Sequence, residues 1–202
     1  MRFLRRSPRD GSDRWIIVGL GNPGPRYANN RHNVGAMVVD ELVRRGYGAL
    51  KSHKSGTLLS ERSLDGGSVV IARPTSYMNE SGQQVAQLAR WYKVPADRVI
   101  VVYDEIDLPF GDIRIKQGGG TAGHNGVRSI VRHLGSPDFV RVRTGVGRPS
   151  GRKEAAAHVL ADFSAAERRE LDGLISGAAD AAERIVEVGA ERAMNDVNTR
   201  SS

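Results

Sequence analysis

Short runs of β-branched residues alternate with segments of helical periodicity along this chain, and that alternation constrains the fold more than any other feature. Residues 15–18 and 99–103 are apolar runs of strand length, which is typical of strands buried on both faces. Apolar residues recur at helical spacing over residues 34–45 and 81–93. Strands alternating with helices predict a three-layer α/β fold, in which one twisted sheet carries helices on both faces.

The sheet is predicted to be mixed. Residues 57–64 and 69–72 are extended runs separated by Asp65 and two glycines, which indicates an antiparallel hairpin. Residues 113–117 and 139–146 predict two further strands, and the second places Arg141 and Arg143 on one face. After a third helix that ends before Gly135, a capping box at residues 164–167 predicts the start of a long helix.

Length and composition predict one catalytic α/β domain over residues 15–198, with a loose basic arm at 1–14 and a tail at 199–202. The chain has no cysteine, which excludes disulfides and thiolate catalysis. It lacks both an 18-residue apolar run and a secretory signal, so no membrane partner and a cytoplasmic location are expected.

The basic balance of the chain suggests a polyanionic partner. The net charge is +7 and the pI is about 10.1. Only 5% of the residues are aromatic, which argues against a platform that stacks many unpaired bases. We therefore expect phosphate contacts to supply most of the affinity for a nucleic acid.

The glycine-rich segment that follows the first strand matches the dinucleotide-binding fingerprint G-x-G-x-x-G at residues 19–24. Pro23 and Pro25 remove N–H groups where a helix N-terminus would offer them to a pyrophosphate. The acidic residue about 20 positions on, Asp40, falls inside a predicted helix rather than after a second strand. The glycines therefore favour tight turns and close backbone approach over dinucleotide binding.

Four polar loops follow apolar elements, at residues 22–33, 75–79, 103–107 and 123–126. Loops at the carboxyl ends of parallel strands meet in one crevice. Such a crevice could use His32 as a general base with Asp104 holding its ring, while asparagine side chains bind amides or polarise a carbonyl. Because the chain lacks a cysteine and a serine in a nucleophile elbow, the base would activate water or a substrate hydroxyl directly.

Each of these residues also has a plainer interpretation. A lone histidine at a helix start is often a surface or capping group, and an aspartate after a strand is often a cap. Asp104, Glu105 and Asp107 cluster as metal ligands would, but no histidine accompanies them at ligand spacing, so no metal is expected.

Taken together, the motifs resemble bacterial-type peptidyl-tRNA hydrolase over about residues 15–198. The matching segments, in order, are VGLGNPG at residues 18–24 with Tyr27 and RHNVG at 31–35, PTSYMNESG at 74–82, DEIDLP at 104–109, GGG at 118–120 and GHNG at 123–126. Thr121 and Ala122 depart from the run expected after the three glycines, and the first 14 residues have no counterpart.

The resemblance implies a monomeric α/β enzyme that needs no cofactor. Its substrate is the ester joining a peptide, or an N-blocked aminoacyl group, to the 3′ ribose of tRNA, and its product is tRNA recycled from stalled translation. His32 falls on the catalytic base, Asp104 on the acid that keeps this base active, and Asn22 on the residue that separates blocked from free aminoacyl-tRNA. The implied substrate-binding positions are Tyr27, Tyr77, Asn79 and Asn125, and those for a terminal tRNA phosphate are Lys116 and Arg143.

An RNA-binding module on the same fold is the main alternative, since some relatives of this family serve RNA splicing. A pure binder needs no poised base, so the complete set of catalytic positions favours the enzyme.

Overall fold

The computed structural model of the protein describes residues 14–64, 67–149 and 154–199. Its strands are β1 (Arg14–Gly19), β2 (Lys51–Ser52), β3 (Thr57–Leu64), β4 (Gly67–Pro74), β5 (Val99–Glu105), β6 (Ile113–Gln117) and β7 (Val140–Gly145). They form one sheet in the order β2-β3-β4-β1-β5-β7-β6. Pairing is parallel among β4, β1, β5 and β7, and antiparallel for β2 with β3, β3 with β4 and β6 with β7. The mixed sheet expected from the sequence is confirmed.

Helices cover both faces of this sheet, which confirms the three-layer architecture. They are α1 (Val34–Leu42), α2 (Ser81–Tyr92), α3 (Asn125–Leu134), α4 (Ala155–Val159), α5 (Ala165–Val188) and α6 (Ala190–Asn198). One buried core joins the sheet to α1, α5 and α6, and a second joins it to α2 and α3. In the part of the chain that the structure describes, no helix is both long enough and apolar enough to span a bilayer.

The boundaries differ from the sequence expectation in several places. The helix predicted over residues 34–45 ends as an α-helix at Leu42, because a wider turn continues to Tyr47 with Gly46 at φ 90°. The structure adds β2, α4 and α6, which the sequence pattern did not indicate. The basic arm up to residue 13, the turn at 65–66, the loop from 150 and the tail from 200 lie outside the described residues.

The parallel strands all end at one edge of the sheet, and this edge carries the polar loops. β1 leads into the loop at residues 20–33, and the first turn of α1 lies directly against its end. A Cβ at Gly19 would lie 2.0 Å from the carbonyl oxygen of Gly35. Gly19 of the fingerprint-like segment thus allows the close backbone approach that the sequence favours, whereas Gly24, at φ 97°, serves a turn.

Candidate active site

The loop after β1 and the end of β5 bring a histidine and a carboxylate together. His32 lies in a 3-10 turn (Arg31–Asn33) that leads into α1, and Asp104 is the penultimate residue of β5. The His32 Nδ1 atom is 2.8 Å from Asp104 Oδ1 and 3.0 Å from Oδ2. Both residues are buried. The sequence pairing of His32 with Asp104 therefore corresponds to a direct hydrogen bond.

A second histidine, His124, shares the same carboxylate. Its Nε2 atom is 3.0 Å from Asp104 Oδ1, and its Nδ1 atom accepts the N–H of Val127 as the N-cap of α3. Because Nδ1 is an acceptor, the hydrogen-bond network assigns the proton of His124 to Nε2, which donates to Asp104. His124 belongs to one of the sequence motifs, but the sequence gives no reason to assign it a role, because only the fold brings it next to Asp104.

Two opposing effects set the charge of Asp104. Burial of the carboxyl group by itself would raise its pKa. The charges and hydrogen bonds of His124 and His32 outweigh burial and hold the pKa of Asp104 far below its ordinary value. The carboxylate therefore stays ionised and receives the Nδ1–H of His32, which leaves the lone pair of that imidazole on Nε2.

These groups line a cavity of about 710 Å³ at the carboxyl edge of the sheet. The cavity gathers most of the positions singled out in the sequence. They are Asn22, His32, Tyr77, Asn79, Asp104 and Asn125. Tyr27 does not line the cavity but packs edge-on against Tyr77, with ring centroids 6.5 Å apart. Lys116 and Arg143 lie outside it.

The asparagines of the site are oriented by their neighbours. Asn22 Oδ1 accepts the N–H of Met78 at 2.8 Å, and Asn33 bonds both the N–H and the carbonyl of Asn22. Asn125 Oδ1 accepts from Arg128. With both carbonyl oxygens occupied, Asn22 and Asn125 each have an Nδ2 group without an acceptor among the described residues. The cavity therefore offers amide donors to a bound substrate.

One wall of the cavity is apolar and comes from α4, which the sequence did not predict. It is formed by Ala155, Ala156, Val159 and Leu160. Buried Arg31 fixes the segment that follows, because its guanidinium donates to the Glu167 carboxylate at 2.6 Å and to the carbonyls of Ala161 and Asp162. Arg31 precedes His32 in the chain, so one short turn holds both the imidazole and the opposite wall.

The proposed phosphate residues lie on β6 and β7, beside the cavity. Lys116 is exposed and pairs across the strands with Arg141, so Arg143 is its diagonal neighbour on the same face. Arg143 Nε donates to Glu105, which lines the cavity, at 3.1 Å. Arg141 shares this face with Arg143, as the sequence indicates, but it is not accessible to a phosphate. That side chain is buried and donates to the carbonyls of Gly119 and Gly120, because the triple-glycine turn folds over it.

Three groups of the site could also serve as metal ligands. His32, Asp104 and His124 offer ligand atoms within 4.8 Å of one another. The sequence argument against a metal assumed that no histidine accompanied Asp104, and the fold supplies two. In the present geometry the facing nitrogen atoms donate hydrogen bonds to the carboxylate, so a cation would have to displace those protons.

Comparisons with known proteins point in one direction. The profile of the family described as "Peptidyl-tRNA hydrolase" matches residues 16–202. The peptidyl-tRNA hydrolase of Mycolicibacterium smegmatis is 53% identical over 184 residues, which is 91% of this chain and 96% of that protein. The one of Frankia alni is 52% identical over 181 residues, or 90% and 92% of the two chains. A crystal structure of the Acinetobacter baumannii enzyme superposes with a TM-score of 0.84 at 38% identity, covering 93% and 95% of the two chains.

Proposed function

This chain belongs to the peptidyl-tRNA hydrolase family, and on that premise we propose that His32, held by Asp104, activates the water that cleaves peptidyl-tRNA. The hydrolysis of peptidyl-tRNA is the activity of the family. What we propose is the role of each residue. The observation that carries the proposal is the 2.8 Å contact from Asp104 to His32 Nδ1, in a cavity lined by oriented amide groups.

The reaction can be followed atom by atom. His32 Nε2 takes a proton from water, and the water oxygen attacks the ester carbonyl carbon. The tetrahedral intermediate then expels the ribose 3′ oxygen, which recovers the proton from the imidazolium. Carboxylic acid and free tRNA are the products. An ester has a good leaving group, so no covalent enzyme intermediate is needed.

Asp104 is a positioning residue in this scheme. Its carboxylate fixes the ring orientation of His32 and stabilises the imidazolium that forms during water attack. His124 donates to the same carboxylate and thereby limits its rotation. Two N–H donors on one carboxylate keep it ionised, which is the charge state that the imidazolium requires.

The asparagine donors account for the choice of blocked substrates. A peptide or N-acyl group has a carbonyl oxygen that can accept from the Nδ2 of Asn22 or Asn125, and exposed Asn79 adds a third amide at the cavity. A free α-amino group is a cation that can only donate. It would face N–H groups of the same polarity and would lose its hydration. Tyr27 and Tyr77 flank the entrance as the proposed contacts to the peptide or the terminal nucleotide.

Lys116 and Arg143 are the proposed grip on a terminal phosphate of the tRNA. Arg143 offers a planar fork and Lys116 a point charge on the same face of neighbouring strands. The ion pair with Glu105 occupies only the Nε of Arg143. The Nη atoms have no acceptor among the described residues and can bind an anion.

We further propose that residues 15–198 act as one catalytic domain. In this proposal the protein is a cytoplasmic monomer that needs no cofactor and returns tRNA from stalled translation. The basic arm at 1–14 and the tail at 199–202 are assigned no part in the chemistry.

The test is release of an N-acylated amino acid from N-acetyl-aminoacyl-tRNA. Loss of a general base typically costs 10²–10⁴-fold, so we expect kcat for His32→Ala to fall by about that factor while tRNA binding persists. His133→Ala removes a histidine on the outer face of α3 and should leave kcat unchanged. Ordinary turnover by His32→Ala would remove the assignment, and tight RNA binding without hydrolysis by the unmodified protein would favour the binding module.

A further inference from the structure

The C-terminal end of α2 presents an aromatic side chain that the proposed active site does not use. Trp91 is 53% exposed, whereas Trp15, the other tryptophan of the chain, is buried. The Lys54 ammonium lies 3.3 Å from the ring centroid of Trp91, and the His53 ring lies 5.7 Å away. Among the described residues the exposed large hydrophobic side chains are Tyr77, Trp91 and Leu160, and of these three only Trp91 lies away from the cavity.

The cations next to this ring are Lys54 in space and Arg90 and Lys93 along the chain, and they lack acidic partners. Lys54, Arg90 and Lys93 are exposed, and none of them has a carboxylate within 4 Å among the residues that the structure describes. We define the α2-end patch as Lys54, Arg90, Trp91 and Lys93. Its net charge is positive, and its single aromatic ring is too small a surface for an apolar protein interface.

The α2-end patch continues the basic side of the molecule that holds the proposed phosphate grip. Helices α2 and α3 contain no aspartate or glutamate, and they pack against each other on one face of the sheet. Arg128 and Arg132 are exposed on α3, which packs against α2. Tyr92, the neighbour of Trp91, bonds Glu61 of β3, and Arg143 lies on β7, four strands further along the sheet, which is a separation of about 19 Å measured across the strands.

We infer that the α2-end patch binds the RNA of the substrate at a point beyond its acceptor terminus. Lys54 and Arg90 would contact backbone phosphates, and Trp91 would stack on an unpaired or terminal base. RNA is favoured over a peptide because the surface combines cations that lack carboxylate partners with one π-face, on the same side of the sheet as Lys116 and Arg143. This inference rests on the proposed function, since it assigns a second contact to the same tRNA.

The first experiment compares two substrates of different size. One is full-length N-acetyl-aminoacyl-tRNA, and the other is a short 3′-terminal oligonucleotide carrying the same ester. For a Lys54→Ala/Trp91→Ala double variant, we expect KM for the full-length substrate to rise about five- to tenfold with kcat unchanged. KM for the short substrate should not change. Arg169→Ala, which removes an exposed cation from α5 on the opposite face, is the charge-matched control.

The second experiment uses Trp91 itself as the probe. In a Trp15→Phe variant the fluorescence reports Trp91 alone, and we expect saturating deacylated tRNA to reduce quenching by acrylamide. Lys54→Ala should also lower the slope of log K against log salt by about one unit.

The outcomes separate this inference from the proposed function. Unchanged KM for full-length tRNA together with unchanged acrylamide quenching would overturn the RNA contact. Equal loss on both substrates would also overturn it, because the patch would then act through the active site. Protection of Trp91 by an N-acetylated peptide but not by tRNA would assign the surface to peptide instead. Activity on the short substrate tests the active site alone, so its failure contradicts the proposed function and leaves the patch to be judged by tRNA protection of Trp91.

Discussion

The two faces of the sheet are held together differently. On the face covered by α1, α5 and α6, several arginines form ion pairs with carboxylates of the chain. Arg45 donates to Glu41, Asp180 and Glu183, and Arg184 pairs with Asp196. On the face covered by α2 and α3, the helices carry no carboxylate at all. These paired arginines of the first face serve the fold, whereas the arginines of α2 and α3 have no carboxylate on their own helix and are available to a polyanion.

Two helical glycines, one on each face, differ in how closely other atoms approach them. Helices α2 and α3 approach so closely that a Cβ at Gly82 would lie 2.0 Å from the carbonyl oxygen of Ser129. On α5, a Cβ at Gly173 would meet no atom within 4 Å. Helices α2 and α3 therefore pack against each other through close backbone contact with no ion pair between them, which leaves their outer sides free for a partner.

The largest expected effect is a loss of stability when the close contact between α2 and α3 is disturbed. Gly82→Ala should lower the free energy of unfolding by about 3 kcal/mol, because the added methyl group meets backbone that cannot move aside cheaply. Gly173→Ala, the matched change on the other face, should raise it by up to about 1 kcal/mol through helix propensity. Urea denaturation followed by circular dichroism measures both. Equal effects of the two substitutions would contradict the packing difference.

Next in size is the effect on tRNA affinity. Arg143→Ala should raise KM for N-acetyl-aminoacyl-tRNA about tenfold and reduce the salt slope of binding by about one unit, since one phosphate contact is lost. Binding titrations at several salt concentrations provide the slope. A slope that stays the same in the variant would remove Arg143 from the phosphate site.

A smaller effect is expected when a paired arginine is removed. Arg45→Ala should lower the free energy of unfolding by about 1 kcal/mol, because three carboxylates lose a shared partner that is largely shielded from solvent. KM for tRNA should stay unchanged, in contrast to Arg143→Ala. A rise in KM comparable to that of Arg143→Ala would contradict the assignment of the Arg45 ion pairs to stability alone.

The smallest expected effect is on how the free energy of unfolding depends on pH. Hydrogen bonds from Arg45 and Arg44 hold the pKa of Glu41 below its ordinary value of 4.5, against the opposing effect of burial. The unfolded chain therefore takes up this proton first as pH falls, and the stabilisation present above about pH 5 is lost as pH falls below 4.5. Urea midpoints of Glu41→Gln should decline less between pH 6 and 3.5 than those of the unmodified protein. An identical decline would exclude Glu41 as a source of acid sensitivity.

Local patterns in the sequence predict much of this molecule. The apolar runs of β1 and β5, the hairpin of β3 and β4 and the capping box of α5 depend on neighbours in the chain, and each lies where its pattern indicates. The cavity follows because parallel strands end at one edge. The pairing of His32 with Asp104 was expected because Asp104 lies at the carboxyl end of β5 and His32 in the loop after β1.

Other parts of the site depend on contacts between distant segments. His124 meets Asp104 only because α3 begins beside β5, and α4 forms a wall only because Arg31 reaches Glu167, 136 residues away. The burial of Arg141 depends on how a glycine turn folds over β7. Residue types and their spacing in the sequence do not reveal which distant segments come into contact. The pattern therefore could not predict the role of His124 or the apolar wall formed by α4.

The turn formed by Arg31 and His32 makes the active site sensitive to structural changes far from it. His32 follows Arg31 directly in the chain, and the guanidinium of Arg31 donates hydrogen bonds to the Asp162 carbonyl before α5 and to Glu167 in its first turn. Damage to that distant junction, by truncation or by a surface mutation near Ser164, would therefore misalign the imidazole as directly as a change beside it. Hydrolytic activity therefore reports whether the C-terminal third of the chain is packed correctly against the rest of the domain.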